Sequence, residues 1–263
     1  MAQGGDLVRM YSALTGVLAD FEKDAWKQLV KDFPCDLACL DEAFRVLSAA
    51  VKFSCESQAT LVKSIAETEE GDDKIRSAVA WSMLVLEARE RLCSARLLLL
   101  TSHQSRCLSC LRDAFECLRW AHVCLGNARQ ADRWFKGKKV IAGARQSYPP
   151  QLAQDISNNI QAVLSKLGTH PYVESCLINI GVIPPEGAYR GTKENLRIGN
   201  YEVHARQTFL AFQAILGQAI EYILDTNLFE EDKIPDCPEV LEHIYDFMDY
   251  NANFVQNNHL IKD

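Results

Sequence analysis

The apolar residues of this chain recur every three or four positions over long stretches, which is the period of an α-helix. Helices are predicted at about 6–31, 36–66, 74–100, 106–125, 150–167, 202–225 and 238–253, with one short helix inside 127–139. No segment alternates apolar and polar residues as a β-strand does. We therefore expect an all-α protein, a bundle of about five to eight helices.

The same pattern assigns an inward face to each helix. The faces expected to be buried are, in the first helix, Leu7, Met10, Tyr11, Leu14, Val17, Leu18, Phe21, Ala25 and Leu29, in the second, Leu40, Phe44, Leu47, Val51, Leu61 and Ile65, and in the third, Val79, Met83, Leu86, Leu92, Ala95 and Leu99. Phe33-Pro34 is expected to end the first helix, because a residue that precedes proline avoids the helical conformation. The 263 residues are expected to form a single helical domain, with residues 1–73 as a possible N-terminal hairpin and 74–263 as the core.

Composition and charge narrow the class of protein. Hydrophobic residues make up 48% of the chain and charged residues 24%, which is ordinary for a globular protein. The net charge of −7 argues against a protein that coats nucleic acid, although a local basic face is compatible with it. The most apolar run, 91–100, is too short to cross a bilayer, and no secretion signal opens the chain, so we expect a cytoplasmic protein with no membrane partner.

The most unusual stretch of the chain is rich in cysteine. Cys107, Cys110, Cys117 and Cys124 lie within nineteen residues, and the last three are spaced by seven. On a helix the four cysteines share one side, with Ala114 and Ala121 beside them and leucines on the flanks. Free cysteine behaves as a small hydrophobic residue. The pattern therefore favours a seam of small side chains that packs against a neighbouring helix.

Two chemical alternatives remain for the cysteines. A structural zinc usually needs a second pair of ligands, and the chain offers no second CxxC. A redox CxxC usually opens a helix that follows a strand, and no strand precedes Cys107. We predict no bound metal and no cofactor, and we keep a cysteine-based metal sensor as a weaker alternative.

The polar side of the same helix carries charges. Arg112, Glu116 and Arg119 follow one another at intervals of four and three residues, so they share a face. On an exposed helix they would form solvated ion pairs of little energetic value. Apolar residues cover more than half of this helix, so we expect it to lie centrally. On a central helix the three charged side chains must pair internally or point into a cleft.

Two other stretches are candidates for function. Residues 168–200 are rich in Gly and Pro and form the one long irregular stretch, a kind of loop that is often functional. His170 lies in it and titrates near neutral pH, which makes it a candidate ligand-binding residue. The stretch "RWFKGKK" (133–139) combines aromatic and basic residues, as phosphate and nucleic-acid contacts do, although a solvated loop has the same composition.

With the helices placed, residues 106–171 resemble the central motif of a group of bacterial helical proteins with no settled function. In that group a helix reads roughly L-R-x-x-x-E, a W-x-x-G-like turn follows, and a later loop reads roughly L-S-x-x-x-H-P. The matching residues here are Arg112, Glu116, Trp134, Gly137, Ser165, His170 and Pro171. Such proteins are similar to the HEPN helical domains of RNases, toxin–antitoxin pairs and phage-defence systems.

The resemblance implies two functions. The first is a cytosolic HEPN-like binding protein, possible partners being a nucleotide, an RNA or a protein, with Arg112, Glu116, Arg119 and His170 at the site. The second is a metal-independent endoribonuclease, in which Arg96 and His103 would match the group's Arg-x4–6-His pattern. Leu97 stands where that pattern has a polar residue, which favours the binding protein. In either case the resemblance implies a homodimer.

Overall fold

The computed structural model describes residues 19–20, 22–65, 71–101, 104–125, 127–138, 201–226, 234 and 236–258. These residues form seven helices and no β-strand, which confirms the all-α prediction. In chain order the helices are α1 (22–32), α2 (Pro34–Ile65), α3 (Gly71–Leu100), α4 (Gln104–Leu125), α5 (Ala128–Phe135), α6 (Tyr201–Asp225) and α7 (Cys237–Asn258). The predicted helix at 150–167, the stretch 168–200, His103 and His170 lie outside the described residues.

The first two helices are separated by a single residue. Pro34 begins α2, where its missing N–H would have had no partner within the helix. The backbone N–H of Phe33 still donates to the Leu29 carbonyl at 2.9 Å, so the break is a bend between two continuous helices. The Phe33 ring packs against Phe209, with centroids 5.4 Å apart, and thereby joins the bend to α6.

Helices α2, α3 and α4 pack side by side. Arg89 of α3 donates to the Ser48 hydroxyl of α2, and Arg96 donates to Asp41, so the two helices run antiparallel. Only residues 101–103 separate α3 from α4, and the two helices pack along their lengths as a hairpin. One continuous core therefore includes residues from all seven helices.

Helix α6 lies in the middle of this core. Its fully buried residues include Phe209, Phe212, Ile215 and Ile220. The indole Nε1 of Trp81 donates to the Tyr222 hydroxyl at 2.8 Å, which ties α3 to α6 without leaving the indole N–H unpaired. Helix α7 packs over Gly217, where an added Cβ would lie in ordinary van der Waals contact, 3.4 Å from Cγ2 of Ile244.

The prediction of which residues of each helix are buried is only partly correct. In α2 the residues Leu40, Phe44, Leu47 and Val51 are buried as expected, whereas Leu61 is 43% exposed. In α3 the prediction was correct for its second half and wrong for its first half. Val79, Met83 and Leu86 are exposed, and the buried residues there are Ala78, Ala80, Trp81, Leu84, Val85 and Ala88. Because α3 has apolar residues on two opposite sides, periodicity alone does not say which side faces the core.

None of the described helices is long and apolar enough to cross a membrane.

Candidate functional site

Helix α4 lies centrally, as its apolar circumference predicted. Among its residues with a described side chain, only Arg106 and Asp113 are exposed. The cysteine side forms the expected seam: Cys107, Ala114, Ala121 and Cys124 are fully buried, and Cys110 and Cys117 are half-buried against the core. Helix α4 as a whole packs mainly against α3, its partner in the hairpin.

The seam thiols are held in their neutral form. Burial raises the pKa of Cys107 well above its usual value, and it raises the pKa of Cys117 and of Cys124 to about 11. The pKa of Cys110 is raised too, first by burial and then by the nearby Asp113 carboxylate. The thiolate is the form that attacks disulfides and binds metals, so these cysteines are unreactive at neutral pH. In the part of the chain that the structure describes, no three His, Cys, Asp or Glu residues converge on a metal position.

The charged side of α4 is only partly paired. The Arg119 guanidinium is buried, donates to the Glu116 carboxylate at 3.3 Å and lies 5.9 Å from the centre of the Phe115 ring. Arg112 is half-buried one turn earlier, and its Nε is buried without a hydrogen-bond partner. Three charges therefore share the face, of which two form a pair and the third has an unused donor.

Arg96, the candidate catalytic arginine, faces α2. Its Nε donates to the Asp41 carboxylate at 2.8 Å, and a second nitrogen lies 2.7 Å from the same oxygen. Its proposed catalytic partner, His103, lies outside the described residues. The endoribonuclease hypothesis stays a prediction, and it requires that Arg96 leave Asp41 to contact a phosphate.

The W-x-x-G turn is a helix stop. Gly137 has a φ of 65°, which is the left-handed conformation that glycine adopts without strain. Its N–H donates to the Trp134 carbonyl at 2.9 Å, and the N–H of Lys138 donates to the Arg133 carbonyl at 2.9 Å. These two bonds form a Schellman motif at the end of α5. The Trp134 and Gly137 spacing thus has a structural reason that is independent of any ligand.

The aromatic and basic residues of this stretch are split between core and surface. Trp134 packs against the core, whereas Phe135 is 45% exposed. Lys136 binds Asp132 one turn earlier at 2.5 Å. The neighbouring Lys138 carries a further positive charge at the end of the turn.

A second buried polar cluster, which we call the Arg206 cluster, has little signal in the sequence. It consists of Asp36, Arg206, Gln213 and Asn251, all buried, with Glu202 at its edge. Arg206 donates to Asn251 at 2.9 Å and twice to Glu202, at 3.0 and 2.9 Å. Asn251 in turn donates to Asp36 at 2.8 Å and to Gln213 at 3.1 Å.

Aromatic rings complete the surroundings of Arg206. Its guanidinium carbon lies 5.3, 4.8 and 4.6 Å from the ring centres of Phe33, Tyr250 and Phe254. The cluster joins α2, α6 and α7. Because the buried Arg206 and Asp36 both have hydrogen-bond partners within the protein, we interpret the cluster as a structural element rather than a ligand site. The Glu202–Arg206 spacing of four residues was the one part of it that the sequence could have indicated.

Comparison of the chain with protein-family models, with curated proteins and with solved structures finds no match.

Proposed function

We propose that this protein is a cytosolic binding protein of the HEPN-like type that binds a phosphate-bearing ligand, a nucleotide or an RNA, at the charged face of α4. The observation that carries the proposal is the buried, unpartnered Nε of Arg112. Arg119 and Glu116 satisfy each other beside it. We therefore assign ligand binding to Arg112. The Glu116–Arg119 pair lies on the same face of α4 and holds the neighbouring side chains in place.

The energetics favour an anion at this position. A buried donor with no acceptor costs about 1–3 kcal/mol, which a bound acceptor would recover. A phosphate offers several oxygen acceptors, and the guanidinium presents its donors in a planar fork that matches them. A phosphate bound here would use the free donor of Arg112 without breaking the Glu116–Arg119 pair.

The half-buried position of Arg112 suits such a contact. A fully exposed arginine would bind phosphate weakly, because water and salt screen the interaction. Because the Nε itself is buried, a phosphate would reach it only after the Arg112 side chain turns outward, which a half-buried side chain can do more easily than a fully buried one. His170, which the resemblance assigns to the same site, lies outside the described residues, so the proposal rests on α4 alone.

The proposal is tested by measuring the affinity of the purified protein for ATP, GTP and a fluorescently labelled single-stranded RNA. Wild type is compared with Arg112→Met, which keeps the length of the side chain and removes its donors. Arg106→Met is the matched control, because Arg106 lies on the same helix and is exposed. We expect Arg112→Met to weaken binding by roughly tenfold or more, the value of one charge-assisted hydrogen bond, and Arg106→Met to leave it unchanged.

Two results would contradict the proposal. Equal losses in both variants would mean that the ligand responds to overall charge and not to this site. No binding of any of the three probes by wild type would exclude nucleotides and RNA and leave a protein partner as the alternative. A salt titration adds a check on RNA, since each phosphate contact contributes about −0.7 to the slope of log K against log salt for a single strand.

A further inference from the structure

Helix α3 carries a second apolar stripe on its outer surface. Val79, Met83, Leu86 and Leu97 are 37%, 49%, 44% and 62% exposed. Half-buried Cys93 and the exposed Glu90 complete the row. We call these six residues the α3 stripe. At a rise of 1.5 Å per residue, it runs for about 27 Å along the helix.

The spacing of the α3 stripe is that of a helix–helix seam. Successive members are four, three, four, three and four residues apart, which is the heptad spacing by which two helices pack side by side. The opposite side of α3, with Trp81, Ala88 and Ala95, is buried in the core. Single exposed apolar side chains are ordinary on a protein surface, whereas several in one row are typical of an interaction surface.

We propose that the α3 stripe is a self-association surface, on which α3 of one copy packs antiparallel against α3 of a second copy. The interval pattern is the same from both ends, so a two-fold axis near residue 88 brings the two stripes into register. Val79 then lies opposite Leu97, Met83 opposite Cys93, and Leu86 opposite Glu90. This surface lies on α3 and goes beyond the ligand site proposed on α4.

The charges beside the stripe suit a second copy of the same chain. Each cation there is already paired with an anion: Arg91 with Glu87 at 2.8 Å, Arg89 with Glu90 at 2.7 Å, and Arg96 with Asp41 at 2.7 Å. The border of the stripe is therefore neutral, although the whole chain carries −7. A neutral border lets two copies approach without repulsion, and it offers nothing to a strongly charged partner such as a nucleic acid.

Glu90 favours antiparallel over parallel packing of the two α3 helices. In a parallel pair, Glu90 would meet Glu90 of the other copy inside the seam, and two like charges there oppose association. In the antiparallel pair, each Glu90 lies opposite Leu86 and remains bonded to Arg89. One acid per helix still limits the affinity, which makes the dimer weaker than an all-apolar seam would be.

The experiment is sedimentation velocity of the full chain over a range of concentrations under reducing conditions. We expect wild type to dimerise reversibly and Met83→Lys/Leu97→Lys to be monomeric. Leu61→Lys on α2 is the matched control, because Leu61 is a 43% exposed leucine outside the stripe, and it should dimerise as wild type does. Glu90→Leu should tighten the dimer by at least roughly tenfold, because it buries an added apolar side chain in each copy.

The direction is tested with Met83→Cys under mild oxidation, followed by mass spectrometry of the peptides. The antiparallel arrangement predicts a disulfide cross-link between the thiol introduced at position 83 of one copy and Cys93 of the other. A Cys93–Cys93 cross-link in wild type would overturn that arrangement. A chain that is monomeric at every concentration, or a dimer that survives Met83→Lys/Leu97→Lys, would overturn the self-association surface itself.

Discussion

The Arg206 cluster and the charged face of α4 differ in how completely a buried arginine donor is satisfied. In the Arg206 cluster, Nε and both terminal nitrogens donate hydrogen bonds to Glu202 or Asn251. On α4, Arg112 has a buried Nε with no acceptor. A guanidinium with a partner for every nitrogen stabilises one arrangement of the helices, whereas one with an unused donor leaves interaction energy that a ligand can use.

The largest expected effect comes from Arg206→Ala. The substitution removes the guanidinium that lies 3.9 Å from the buried Asp36 carboxylate, and breaking a buried pair in this way costs about 3–5 kcal/mol. Urea denaturation measures the loss. Arg45→Ala is the control, because Arg45 is exposed although it also binds two carboxylates. Similar losses in the two variants would refute the structural role of the Arg206 cluster.

At alkaline pH, a buried thiol in the seam of α4 loses its proton and becomes an unsatisfied charge. The pKa of Cys124 is raised by burial from 9.0 to about 11. Its neutral thiol therefore stabilises the fold fully below pH 9, and this contribution is lost as the pH rises from about 9 to about 11. At 1.36 kcal/mol for each pH unit, the loss amounts to about 3 kcal/mol.

Urea unfolding of wild type and Cys124→Ala at pH 7 and pH 10.5 checks this expectation. The variant should be less stable at pH 7, because it leaves a small cavity, and should lose less stability between the two pH values. Cys35→Ala provides the control, since Cys35 is exposed. Parallel pH profiles for wild type and Cys124→Ala would show that another group governs the alkaline loss.

The smallest expected effect on stability belongs to Arg112→Met. Removing a buried donor that has no acceptor relieves its desolvation cost, so the free energy of unfolding should stay constant or rise by about 1 kcal/mol. Thermal and urea denaturation of Arg112→Met beside Arg206→Ala measures the contrast directly. A loss as large as that of Arg206→Ala would mean that Arg112 is structural as well, and the two regions would not differ.

Much of the fold could be predicted from the sequence, because helix period and helix ends are local signals. The helix expected to end near Leu125 does end there, and the predicted 202–225 helix is observed as Tyr201–Asp225. The outward orientation of Val79, Met83 and Leu86 could not be predicted. It depends on which side of α3 meets α2, α4 and α5, and that is a property of the assembled bundle.

The candidate site shows the same division. The pairing of Glu116 with Arg119 follows from their spacing of three residues on one helix. The missing partner of Arg112 depends on what packs around α4, which no local pattern reports. The Arg206 cluster was missed because Asn251 and Asp36 are 215 residues apart in the chain.

That separation has a consequence for the order of folding. The α3–α4 hairpin closes a connection of three residues, 101–103, whereas the Asp36–Asn251 bond requires α2 to meet α7 from the far end of the chain. Contacts close in sequence form early, because little loop entropy is lost in making them. We expect the Arg206 cluster to be absent from the folding transition state. Its loss would then shorten the lifetime of the native state and leave the folding rate almost unchanged.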